Sequence, residues 1–146
     1  MTESNQYQRI LVAVDGSEAS EKALIKGIEL SKKYHSELFI AHIIDTRSFQ
    51  TLSSYDAETE KIANAMADQT LTEYAIQATK EGLANVTTIL GHGIPKKVLA
   101  YNLIKEHQID LVLLGSTNLK IFEKLFLGSI SNYLAKHAPC EVVTIE

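Results

Sequence analysis

Five stretches of this sequence are apolar without the alternation of a half-exposed strand, and few folds can accommodate such runs when helical stripes separate them. The runs are Ile10-Leu11-Val12-Ala13-Val14, Leu38-Phe39-Ile40-Ala41-His42-Ile43-Ile44, Val86-Thr87-Thr88-Ile89-Leu90, Asp110-Leu111-Val112-Leu113-Leu114, and Val142-Val143-Thr144-Ile145. A strand with one wet face alternates polar and apolar residues, so unbroken runs predict strands covered on both faces. The third run, with two threonines, carries the weakest signal.

Helical patterns fill the intervals. Ser17 suits an N-cap, Glu18 and Glu21 fall in the first turn, and Ala23, Leu24, Gly27, Ile28, Leu30 and Tyr34 form an apolar stripe. A second helix is predicted from about Asp56 to Gly82, with Ile62, Met66, Ala75 and Ala78 turned inward. A third starts at Pro95, a residue suited to a first turn, and runs through Val98, Leu99, Leu103 and Ile104. A fourth follows Gly128 and holds Ile130, Tyr133 and Leu134.

Strand and helix in alternation predict an α/β fold: a three-layer α/β/α sandwich around a five-stranded parallel sheet joined by right-handed crossovers. Its length of 146 residues fits a single domain over 1–146. Ligands in such sheets bind beyond the C-terminal ends of the strands, where strand order reverses. That places Asp15 and Gly16, Ile43 to Asp45, Gly91 to Gly93, and Gly115 onward at the candidate edge, with 45–54 long enough to serve as a flap.

Charge and cysteine content narrow the partners. A net charge of −4, with fourteen Lys and Arg spread along the chain, opposes binding to a polyanion, so nucleic acid is not expected. No run approaches the roughly 20 apolar residues of a membrane span, and the polar start Thr2 to Gln6 does not resemble a signal peptide. A lone cysteine, Cys140, fits a reducing compartment and reads as a packing residue beside the last strand, and the expected location is cytoplasmic.

The richest segment follows the fourth run: Gly115-Ser116-Thr117-Asn118, then Gly128-Ser129. Glycines after a buried strand let backbone N–H groups approach an anion, and a helix starting at Gly128-Ser129 would direct its positive end there. Other chemistries lack their signatures. No Gly-Lys-Ser or Gly-Lys-Thr is present for a Walker loop, and no Gly-x-Ser-x-Gly elbow for a serine hydrolase. His42 and His92 come near adjacent strand ends but have no His-x-x-x-His or Cys-x-x-Cys companion, so no metal site is expected.

Taken together, Val12-Ala13-Val14-Asp15-Gly16-Ser17, His42-Ile43-Ile44-Asp45, Gly91-His92-Gly93-Ile94-Pro95, the Gly115 to Ser129 segment and His137-Ala138-Pro139-Cys140-Glu141-Val142-Val143 resemble the universal stress protein family across nearly the whole chain. The resemblance implies strand order 3-2-1-4-5, homodimers paired through the last strand, and, in one subgroup, ATP at the C-terminal edge. That subgroup's loop reads glycine, two residues, glycine, nine residues, glycine and serine or threonine. Here Asn118 stands in place of the middle glycine.

Residue by residue, the resemblance implies that Asp15 sits beside the ribose or a phosphate-bound Mg2+, an arrangement suited to a carboxylate. The alternative for Asp15 is a helix N-terminal carboxylate. Ala13, Ile43 and Leu114 correspond to the adenine pocket. Gly115, Asn118, Gly128, Ser129 and Ile130 correspond to the triphosphate site, with Lys120 and Lys124 in the intervening loop. Two functions follow. One is a cytoplasmic, homodimeric, ATP-binding module of the stress response that is not an enzyme, as no base or arginine is placed for phosphoryl transfer. The other is a nucleotide-free dimeric interaction protein of the same fold. In either case the dimer would form through the edge strand Cys140 to Ile145, burying Val142 and Val143.

Overall fold

The protein was analysed as a computed structural model that describes residues 6–47, 57–116 and 129–146. The strands are β1 (Arg9–Ala13), β2 (Glu37–Asp45), β3 (Val86–Gly93), β4 (Leu111–Gly115) and β5 (Glu141–Ile145). Helices α1 (Glu18–Tyr34), α2 (Ala57–Lys80), the composite segment α3 (95–106) and α4 (Ser129–His137) alternate with them. All pairings are parallel, in the order β3-β2-β1-β4-β5. The expected fold class and strand order are therefore observed.

Two cores cover the sheet because successive side chains along each buried strand point to opposite faces. Ile10, Val12, Leu38, Ile40, Leu111 and Leu113 face α1 and α2, where Leu24, Ile28, Leu71 and Tyr74 close over them. Leu11, Phe39, Ala41, Val112 and Leu114 face α3 and α4, packing with Leu99, Ala100, Leu103, Ile104 and Leu134. Gly27 brings α1 close to β1: a methyl group there would stand 2.5 Å from Val12 Cγ2.

Helix α1 begins as its sequence predicts, with Ser17 Oγ accepting from the Ser20 N–H at 3.2 Å, and ends at His35 in the left-handed region. Helix α2 departs from expectation. Its buried stripe is Ala67, Leu71, Tyr74 and Ala78, whereas Ile62 and Met66 are exposed. At 3.6 residues per turn those two lie on the opposite side of the helix from that stripe. Ala78 of the expected stripe is buried as predicted, but Leu71 and Tyr74 rather than Ile62 and Met66 supply the large apolar side chains to the core.

Segment α3 is composite: an α-turn Pro95–Val98, a π-turn Leu99–Leu103 and a last α-turn Ile104–Glu106. The pairs Leu99-Ala100 and Leu103-Ile104 recur at a spacing of four and are all buried. Residues four apart share a face of a helix, so both pairs point toward the sheet across the π-turn. Strand β3 also runs beyond Leu90, so Gly91, His92 and Gly93 pair with Ile43, Ile44 and Asp45 as strand.

At the N-terminal edge, Asp110 Oδ2 accepts from the backbone N–H groups of Gln8 and Arg9 at 2.7 and 2.8 Å, tying the entry of β1 to that of β4. Strand β5 ends the sheet. Val142 packs on the α3/α4 core from within the chain, while Val143 is turned to solvent. Among the described residues no helix is long and apolar enough to cross a membrane.

Candidate functional site

The C-terminal edge is assembled at the point where strand order reverses, between β1 and β4. Ala13, the last residue of β1, is in register with Ala41 of β2 on one side and Leu114 of β4 on the other. Ala13, Ile43 and Ile130 pack on the same core that buries Leu114, so these four apolar candidates gather on the α3/α4 face of the sheet. Of the remaining candidates, Ser129 opens α4. Asn118 and Gly128, with Lys120, Lys124 and the 48–54 part of the expected flap, lie outside the described residues.

Asp15 leaves β1 in a tight turn. Its Oδ1 accepts from the Ser17 N–H at 2.9 Å across Gly16, whose φ of +83° suits glycine. Partial desolvation raises the carboxyl, but hydrogen bonds from the Ser17 hydroxyl and N–H, with Ser20 and the nearby His42, outweigh it and hold the group below its usual 3.8. Asp15 is therefore an ionised acceptor at neutral pH. It also does what its alternative assignment required, placing a carboxylate at the start of α1.

Ser20 was not singled out by sequence reasoning, yet it fastens this turn. Its side chain is buried, its Oγ donates to the Ser17 carbonyl at 3.1 Å, and it accepts from the Asp15 N–H at 3.2 Å. The only sequence trace is its position three residues after the cap. Gly115 packs directly on this turn: a methyl group at Gly115 would overlap the Ala19 carbonyl and stand 2.7 Å from the Ser20 nitrogen. The glycine thus brings the exits of β1 and β4 together, a role separate from any approach to phosphate.

The histidines have structural partners. His42 Nδ1 lies 2.9 Å from the Val14 carbonyl, which can only accept, so Nδ1 carries a proton and fixes the ring against the exit of β1. His92 Nε2 meets Asn64 Oδ1 of α2 at 2.7 Å. Both lie on the α1/α2 face, and no group of three metal-ligating side chains occurs among the described residues.

A doubly wound parallel sheet, with a capped anionic turn and an apolar floor at its switch point, defines the class of α/β proteins that offer ligands the C-terminal edge. A family model for the universal stress protein family matches residues 6–146, and the chain belongs to that family. A universal stress protein of Staphylococcus haemolyticus is 34% identical over 139 residues, covering 95% of this chain and 84% of the relative. The solved structure of the universal stress protein UspA from Lactobacillus plantarum superposes with a TM-score of 0.81 at 26% identity, covering 96% of this chain and 98% of that one. The Archaeoglobus fulgidus universal stress protein in complex with dAMP shares the fold at 21% identity and a TM-score of 0.68, with 96% and 98% covered. Two further family structures of the same fold carry cAMP (22% identity, TM-score 0.74) and, from Arabidopsis thaliana, AMP (19%, 0.68).

Proposed function

We propose that this protein is a homodimeric adenine-nucleotide-binding module of the stress response, a single domain over 1–146 that acts in the cytoplasm by binding rather than by catalysis. The observation that carries this reading is the convergence of Ala13, Ile43, Leu114 and Ile130 on one face of the switch-point edge, next to an ionised Asp15. An apolar floor accepts an adenine ring, and a carboxylate accepts hydrogen bonds from ribose hydroxyls or coordinates Mg2+. Helix α4 starts at Ser129, and its first N–H groups suit a phosphate. In this reading Gly115, Asn118, Gly128 and Ser129 surround the phosphates, and ATP is the expected ligand. The relatives with AMP, dAMP and cAMP support the adenine nucleotide class.

The test is to purify the protein without added nucleotide, denature it, identify released small molecules by mass spectrometry, and titrate Mg-ATP and AMP calorimetrically. Co-purified nucleotide or sub-millimolar binding is expected. Absence of both, at concentrations able to register millimolar affinity, would overturn the reading. Any turnover should be slow, as neither the resemblance nor a sequence motif assigns a general base or an arginine to phosphoryl transfer.

One residue favours a second reading, a nucleotide-free dimeric interaction protein. Asn118 adds a side chain where the ATP-binding pattern has glycine. Asn118→Gly separates the two: a large gain in nucleotide affinity marks a site blocked in the natural sequence, and little change marks a working one.

A further inference from the structure

The outer face shared by α3 and α4 differs from the rest of the molecule in charge and in its aromatic content. Segments 95–106 and 129–137 carry Lys96, Lys97, Lys105 and Lys136 against a single acid, Glu106, a net of +3. The remainder of the chain has ten Lys and Arg against seventeen Asp and Glu, a net of −7. The two segments are thus basic within an acidic chain, and Lys96, Lys97 and Lys105 lie near their aromatic residues.

Three rings sit within that charge. Tyr133 and His137, one turn apart on α4, lie with ring centroids 4.3 Å apart and planes inclined by 34°. Tyr101 of α3 meets the Tyr133 ring edge-on at 6.1 Å and remains 46% exposed. Their polar tips are joined: Tyr133 Oη donates to Tyr101 Oη at 3.0 Å, and Tyr101 Oη lies 3.3 Å from His137 Nδ1. Lys96 Nζ stands 5.0 Å from the centre of the Tyr133 ring. The hydrogen bond with Tyr133 raises the Tyr101 phenol, and the charges opposing that shift are Lys97 and Lys105, four residues to either side.

Such a surface presents aromatic area whose polar groups already satisfy one another, bordered by mobile cations. It suits a ligand that brings carboxylates to the lysines and an apolar or aromatic side chain to the rings. The same face of a second copy is a poor occupant, since a two-fold contact would set lysines against lysines.

We propose that the α3/α4 face is a docking surface for an acidic peptide segment of a partner protein, anchored by an aromatic side chain against Tyr101 and Tyr133. The proposal does not rest on nucleotide binding: Tyr101 and His137 are exposed, and Tyr133 joins them while packing partly on the core. The test uses the full chain and a labelled peptide of Glu and Asp residues flanking a central tryptophan pair, with anisotropy read at about 0.15 M salt. A matched peptide with serine in place of tryptophan and an oligothymidylate of similar length serve as comparisons.

Binding of the tryptophan peptide is expected to be at least about tenfold tighter than that of the serine peptide, and to fall by at least about tenfold in both Tyr101→Ala and the double variant Lys97→Glu/Lys105→Glu. The two lysines are exposed, so the double variant keeps the proposal testable if Tyr101→Ala folds poorly. Equal binding of the two peptides would reduce the face to general electrostatics and overturn the proposal. So would tighter binding of the oligothymidylate, self-association that the double variant abolishes, or no binding of the tryptophan peptide.

Discussion

Gly115, at the end of β4, rests against the backbone of Ala19 in the first turn of α1, so closely that no side chain fits between them. Two chain segments almost a hundred residues apart meet there through backbone alone. The contact joins the exits of β1 and β4, the two strands that flank the switch point. A side chain at Gly115 would therefore disturb packing and candidate site together.

Gly115→Ala should destabilise the protein by about 1–3 kcal/mol, the usual cost of forcing an extra carbon into a packed position. Because the obstructing atoms are backbone rather than a flexible side chain, relief requires α1 to shift at its N-terminus. Urea unfolding of variant and natural protein checks this. Equal midpoints would show that the turn yields freely.

Asp15 has a depressed folded-state pKa, so its ionised form stabilises the fold. That contribution is complete above the unfolded value, 3.8, and is lost as pH falls through the lower folded value. Asp15→Asn should therefore be less stable than the natural protein at pH 7, with the difference shrinking on acidification below pH 3.8. Thermal unfolding across that range measures it. In the proposed function Asp15→Ala also weakens nucleotide binding, and unchanged affinity in calorimetry would remove Asp15 from the site.

Tyr7 donates to Glu141 Oε1 at 2.7 Å, linking the segment before β1 to the start of β5. The hydrogen bond to Glu141, then burial, push the phenol up to about 12. A raised folded pKa means that this stabilisation is complete below the unfolded value of 10 and is lost as pH rises toward 12. Tyr7→Phe should cost about 1 kcal/mol at neutral pH. In ultraviolet titration the variant should lose a tyrosine from the high-pH limb of the natural protein's curve; an unaltered high-pH limb would contradict the assignment.

Cys140 is half-buried beside the α3/α4 core. Burial, with Asp110 and Glu141 adding to it, raises the thiol to about 11. At pH 7.5 the thiolate is a small minority, so alkylation by iodoacetamide should be much slower than for a free cysteine and should accelerate on unfolding. Native labelling as fast as in urea would refute this packing role.

The edge position of β5 supports pairing with a second copy, and Val143 is its exposed apolar side chain. Val143→Lys should shift a dimer toward monomer in sedimentation velocity, because a charged edge discourages strand addition. If the natural protein sediments only as a monomer at micromolar concentration, the dimer proposal fails.

The family resemblance supplied the strand order, and the unbroken apolar runs, the cap at Ser17 and the Pro95 helix start determined the fold class. These signals are local: burial on two faces requires continuous apolar residues, and capping requires a side chain at one position. The grouping of Ala13, Ile43 and Leu114 came from the family resemblance, since as side chains alone they read as core.

Only the tertiary structure decided which face of α2 turns inward, burying Leu71 and Tyr74 and leaving Ile62 and Met66 exposed. It also decided that Gly115 serves a contact with Ala19, that Ser20 locks the Asp15 turn, and that α3 contains a π-turn. It brought Tyr101 beside Tyr133 and His137 as well. Each depends on the distance and orientation between elements far apart in the chain, and a sequence pattern encodes periodicity along the chain but not the closeness of one element to another.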